Sequence, residues 1–205
     1  MNVNLQEIAH ISIWVIQILY FSGPLVLAVV NYINKSTGVL SDLMIAGYFL
    51  GYIFDFFYFY SADFPLPYKI KVPLALVVVV VLIYQRFHYN SKLATRGLVK
   101  ILGTTLPFSL GIIFLVFQFK LDFHVFGWVA AVVWSFYQIP QIIKIFVNKS
   151  VKGFSFFFIL IMTLGVGIDL LVSLFLNFPL PTILSCVRAL VGYIILSVEF
   201  FIYKH

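Results

Sequence analysis

In this chain of 205 residues, 63% are hydrophobic and only 10% charged, and the mean hydropathy is +1.10, more apolar surface than a soluble fold of this size can bury. The bilayer is therefore its solvent. A formal charge of +6 points to nucleic acid only where cations cluster on a soluble face, and here they fall in short loops between apolar runs.

A helix rising about 1.5 Å per residue crosses the roughly 30 Å hydrocarbon core in about 20 residues. Seven stretches meet or approach that length, roughly 8–33, 40–62, 70–86, 98–119, 123–147, 154–176 and 181–203. The first carries Glu7 and His10 where a signal peptide has a basic flank, and no small-residue cleavage site follows, so it is expected to stay as a helix. It also holds Tyr20 and Gly23-Pro24. The second brings Asp55, fifteen residues past Leu40, to a depth of about 22 Å from the inner surface. The third, VPLALVVVVVLIY, offers nothing polar for a pathway. The fifth contains Trp128, Trp134, Tyr137 and Pro140-Gln141. The sixth places Asp169 fifteen residues past Phe154, and the seventh carries Cys186, Arg188 and Glu199.

The loop charges set an expected orientation. Nine cations (Lys35, Arg86, Lys92, Arg96, Lys100, Lys144, Lys149, Lys152, Lys204) fall on one side, and three (Lys69, Lys71, Lys120) on the other with Glu7, Asp63 and Asp122. The positive-inside rule puts the C-terminus in the cytoplasm and the N-terminus outside or in a lumen. Asn34-Lys-Ser and Asn148-Lys-Ser then lie on the cytoplasmic side, so neither acts as a glycosylation acceptor.

A repeat underlies the order of elements. Asn34, Lys35, Ser36, Ser41, Gly51, Asp55 and Phe64 to Pro67 recur, at a constant offset of 114, as Asn148, Lys149, Ser150, Ser155, Gly165, Asp169 and Phe178 to Pro181. A fixed offset means one structural unit used twice. Three spans per unit would invert the second copy, and the leftover fourth helix restores a parallel orientation. The expected fold is thus an all-α integral membrane protein with seven transmembrane helices, a 3+1+3 parallel repeat of three-helix bundles. Its bounds are 1–90 for the first bundle, 91–120 for the connector and 121–205 for the second.

Pro140-Gln141, then Lys149-Ser150 and Gly153-Phe154-Ser155, resemble the PQ-loop signature shared by cystinosin, the lysosomal cationic amino acid exporters and the dolichol-phosphate utilisation proteins. The wider clan includes the SWEET sugar transporters and the KDEL receptors. In the first copy Gly23-Pro24-Leu25 departs from the pattern, and two residues are added before Lys35. The resemblance implies a 3+1+3 transporter fold and points to an amino acid substrate.

Proline within a helix removes a hydrogen bond and crowds the carbonyl four residues back, here Tyr20 for Pro24 and Phe136 for Pro140. Both prolines are read as hinges, with the amide of Gln141 offered to the freed carbonyl. Tyr20, Trp134 and Tyr137, beside these hinges, either line a pocket or pack the core. Asp169 and Arg188 reach similar depths and are expected to pair. Position 74, equivalent to 188, is a leucine, so Asp55 inherits no partner. It is read as a proton-coupling site or a receptor for a cationic group. The bland alternatives are a carboxylate that reaches outer water or one paired with Lys71. Glu199 is expected near Lys144, and Cys186 is taken as an apolar filler.

No nucleotide loop, His/Cys metal cluster or nucleophile motif is present, so neither enzyme nor cofactor is expected. The expected partners are a small polar solute, protons and the lipid bilayer, with no nucleic acid. The function read here is a secondary transporter of a small polar solute, an amino acid and most of all a cationic one, by alternating access with proton coupling. A sugar facilitator and a peptide-capturing receptor are the rivals. A bacterial inner membrane suits the compact chain better than a eukaryotic endomembrane.

Overall fold

The computed structural model describes residues 3–38, 40–89, 92–151 and 154–204, so Gly153 of the motif lies outside the described residues. Among the described residues there are helices and no strands: α1 (Val3–Asn34), α2 (Asp42–Ser61), α3 (Leu66–Tyr89), α4 (Lys92–Gln118), α5 (His124–Phe136), α6 (Ile139–Asn148), α7 (Phe156–Phe175) and α8 (Leu180–Tyr203). α5 and α6 together make one span, giving seven long and apolar enough to cross a bilayer. The chain is a multi-pass, all-α membrane protein.

Burial sorts the helices. α2 is the most enclosed and α4 the least, with 67% and 11% of their apolar windows covered by protein. The side chains of Phe108, Leu110 and Phe114 on α4 point away from the bundle, where only lipid can satisfy them. Trp14 and Trp128 are half exposed, as interfacial belt residues should be.

The main helix contacts come in pairs. α1 packs on α3 as α5 packs on α8, α2 packs on α3 as α7 packs on α8, and α1 against α7 is matched by α5 against α2. α4 touches only α2 and α3 to any extent and stands outside this scheme.

Some residues 114 apart also share backbone features. Lys35 and Lys149 end their helices in the left-handed region at φ of 49° and 46°, and Asp63 and Asn177 do so at 50° and 51°. Left-handed residues are common helix stops because they let the last carbonyls find donors. The Phe64 amide bonds the Phe59 carbonyl at 3.1 Å, and the Phe178 amide bonds the Ser173 carbonyl at 2.9 Å. Gly51 and Gly165 serve similar contacts: a Cβ at Gly51 would lie 2.7 Å from the Trp134 ring, and one at Gly165 3.3 Å from Leu19. Each glycine brings its helix close to the helix of the other copy.

The two prolines sit differently in their helices, as the sequences around them differ. α1 continues as regular helix through Pro24. Its neighbour Gly23 lies against the Met162 side chain of α7, leaving no room for a Cβ, so α1 packs closely on α7. The second copy breaks at Tyr137-Gln138, and α6 restarts with Pro140 in its first turn, where the missing amide costs nothing.

Candidate functional site

A cavity of about 100 Å³ opens among α1, α2, α3, α5, α7 and α8, room for several waters or one small solute. Asp55 and Asp169 both line it, with Tyr20, Trp134 and Tyr137. The sequence-predicted pocket residues are thus brought together, and Lys71, Tyr68 and Cys186 join them.

The two carboxylates are held by matching donors. The Trp134 indole donates to Asp55 Oδ2 at 3.0 Å, and the Tyr20 hydroxyl donates to Asp169 Oδ2 at 2.9 Å. The donors are 114 residues apart, as are the acceptors. Asp169 receives more: the Tyr68 hydroxyl at 2.7 Å on Oδ1 and the Cys186 thiol at 3.6 Å on Oδ2. Cys186 therefore faces the carboxylate as a weak donor rather than merely filling space.

The expected ion pair of Asp169 with Arg188 is not formed. Cys186 and Ala189 face the cavity, and Arg188 turns toward α5. It donates from Nη1 to the Trp134 carbonyl at 2.6 Å and lies 5.9 Å from the Phe136 ring centroid. A continuous helix would offer that carbonyl to the Gln138 amide; the break releases it and Arg188 supplies the donor. Among the described residues, the ion pairs are Lys69–Asp63 and Arg86–Asp42.

Lys71, counted above as an outer-loop cation, lies inside. It is 7% exposed and lines the cavity, with its ammonium 4.9 Å from the Tyr52 ring centroid, 5.4 Å from Tyr20 and 5.7 Å from Phe59. Both Asp55 and Asp169 attract it, Asp55 more strongly. Lys69, two residues earlier, points outward to exposed Asp63 at 2.7 Å, and this hydrogen bond holds the Asp63 carboxyl below its ordinary value. Helical phase separates the two lysines. Lys71 follows Tyr68 by three residues and precedes Ala75 by four, on the stripe that is buried along α3. That spacing was the available signal.

Tyr137 on the cavity wall belongs to a layer of aromatic side chains. The Tyr137 and Tyr193 hydroxyls bond each other, and Tyr48 lies 3.5 Å from Tyr193. Beyond them, the loop after α1 is gripped from several sides. Lys144 donates to the Gly38 and Leu40 carbonyls at 2.6 and 2.9 Å, and Arg86 donates to Asp42 at 2.7 Å and to the Thr37 carbonyl at 2.9 Å. Gln141 accepts from the Ser41 amide at 2.9 Å, so its oxygen ties the start of α2 rather than its amide serving the Phe136 carbonyl as anticipated. Lys144 is thus engaged away from Glu199, whose buried Oε2 has no hydrogen-bond partner.

Residues 123–182 match the family model of the PQ loop repeat. The match covers α5 to α7 and the start of α8, the part of the chain in which the helix is broken, and seven helices of the chain are long and apolar enough to cross a membrane. No curated protein matches the chain.

Proposed function

We propose that the chain is a secondary transporter of a small polar solute, an amino acid and first of all a cationic one, working by alternating access with proton coupling through Asp55 or Asp169. One observation carries the reading. Two carboxylates 114 residues apart face one cavity where the two copies meet. Ionisable groups in a membrane interior are costly and mark pathways, and a carboxylate there is stable only when it meets a cation, whether a proton or an ammonium group. Tyrosine and tryptophan walls suit the same ligand through cation–π attraction, about 0.5–2 kcal/mol per contact.

The pairing of helix contacts supports two parallel three-helix units with α4 as connector. In this reading the aromatic layer and the gripped loop form the closed inner gate, and the break before Pro140 is the joint at which it swings. The N-terminus is placed outside and the basic loops in the cytoplasm, as in a bacterial inner membrane. A peptide-capturing receptor would need several cations in the cavity, and the lining supplies Lys71 alone.

The test uses proteoliposomes and radiolabelled L-lysine and L-arginine, chosen after a thermal-shift screen of amino acids and sugars. Asp55→Asn keeps the shape and removes the charge. It is expected to abolish proton-driven accumulation. Full proton dependence in this variant would overturn the coupling role, and binding without uptake by the unaltered chain would favour a receptor.

A further inference from the structure

We propose that Lys71 is a resident counter-cation which cancels one of the two cavity carboxylates, so that the site takes up one positive charge at a time. This rests on a charge count over the buried groups of the cavity lining. Around Lys71, α1 brings Tyr20, α2 brings Tyr52 and Asp55, α7 brings Asp169, α8 brings Cys186, and α3 itself adds Tyr68. Residues 101–118 of α4 carry no ionisable side chain. With tyrosines and thiol neutral, the balance is two negative charges against one positive.

The placement of the ammonium fits this role. It sits among three aromatic rings and draws on both carboxylates rather than being clamped to one. Asp169 is already served by two hydroxyls and a thiol, whereas Asp55 has one indole donor. Lys71 thus occupies the surroundings that an ammonium from outside would otherwise need. The repeat underlines its singularity: the residue 114 further on is Ser185, which faces the same cavity with its hydroxyl turned to the Pro181 carbonyl at 2.8 Å. Only one copy supplies a cation.

Asp55, Asp169 and Lys71 are all buried, and a net charge in such surroundings is tolerated badly because water screens it poorly. One uncompensated negative charge therefore calls for one monocation, a proton when the cavity is empty or one excess positive charge on the solute when it is full. Resting on the transport reading, this makes the proton and the cationic solute alternatives in the return and loaded steps, with one charge exchanged per cycle.

The consequence is a ladder of proton demand set by charge alone. The unaltered chain needs one proton to neutralise the empty cavity and Lys71→Met needs two. Asp55→Asn needs none, and the double variant Asp55→Asn with Lys71→Met again needs one. Removing the lysine should thus restore a proton dependence that Asp55→Asn has lost.

The ladder is read without a solute, from the unfolding temperature of the purified full chain in nanodiscs between about pH 5 and about pH 8. Protons held by the native cavity but released on unfolding make stability fall as pH rises, in proportion to their number. Lys71→Met should about double the slope attributable to the cavity, Asp55→Asn should abolish it, and the double variant should return it to that of the unaltered chain. Titration outside the cavity is common to all four proteins and cancels in the differences.

Equal slopes for Lys71→Met and the unaltered chain would overturn the proposal. If Lys71→Met does not fold, the comparison of Asp55→Asn with the double variant decides, and equal slopes there overturn it as well. Loss of L-arginine binding in Lys71→Met with an unchanged slope would instead make the lysine a solute contact. Because denaturation needs no transport, a failed transport reading leaves the ladder standing. A failed ladder beside proton-driven uptake removes only the role of Lys71.

Discussion

Arg188 and Lys71 exchange the parts their positions in the sequence imply. Arg188 reaches the depth of Asp169, yet its face of α8 looks to α5, where a broken helix exposes the Trp134 carbonyl. Depth alone was legible; the azimuth was not, because it depends on how α8 packs. A consequence can be measured. Asp169→Asn leaves one oxygen for the Tyr20 and Tyr68 hydroxyls and should cost about 1–3 kcal/mol, the range for a disturbed buried hydrogen bond. Adding Arg188→Leu should not relieve that loss, since the arginine is not orphaned. A double-mutant cycle on unfolding in detergent is expected to give a coupling near zero. Recovery of stability in the double variant would restore the ion pair.

At the scale of the element, the two copies show how local chemistry decides whether a proline bends a helix. Pro24 follows Gly23, which admits the Met162 side chain and presses α1 against α7, and the helix continues. Pro140 follows Tyr137-Gln138, whose side chains turn to Tyr193 and to the Ala189 carbonyl, and the helix parts. The sequence distinguished the copies by Gly-Pro against Pro-Gln but not which of them bends, because the decisive contact comes from another helix. Pro140→Ala restores an amide that the Phe136 carbonyl can accept, favouring a continuous α5–α6 in competition with the Arg188 contact. Transport rate should fall several-fold more than solute affinity, since the cavity lining is untouched. Equal rates in proteoliposomes would leave the proline a static kink.

Across the whole molecule, the offset of 114 was the strongest sign in the chain, and it reappears in helix ends, left-handed stops and matched donors to the two aspartates. Those features are local or tied to identical residues, which is why they could be read. The contacts on the loop after α1 could not, since Arg86, Gln141 and Lys144 meet that loop from α3 and α6 over separations of 44 to 106 residues. Their asymmetry also matters. The residues 114 after Arg86 and Asp42 are Phe200 and Phe156, so this ion pair is not repeated at that offset while both loops keep the Asn-Lys-Ser run. If the units are parallel, both loops face the cytoplasm, and single cysteines test this. In a Cys186→Ser background, Ser36→Cys and Ser150→Cys should react with an impermeant maleimide only from the cytoplasmic side. Lys144→Ala is expected to speed labelling at Ser36→Cys, because Lys144 pins the backbone of that loop. Labelling of the two positions from opposite faces would refute the parallel arrangement and the inner gate built on it.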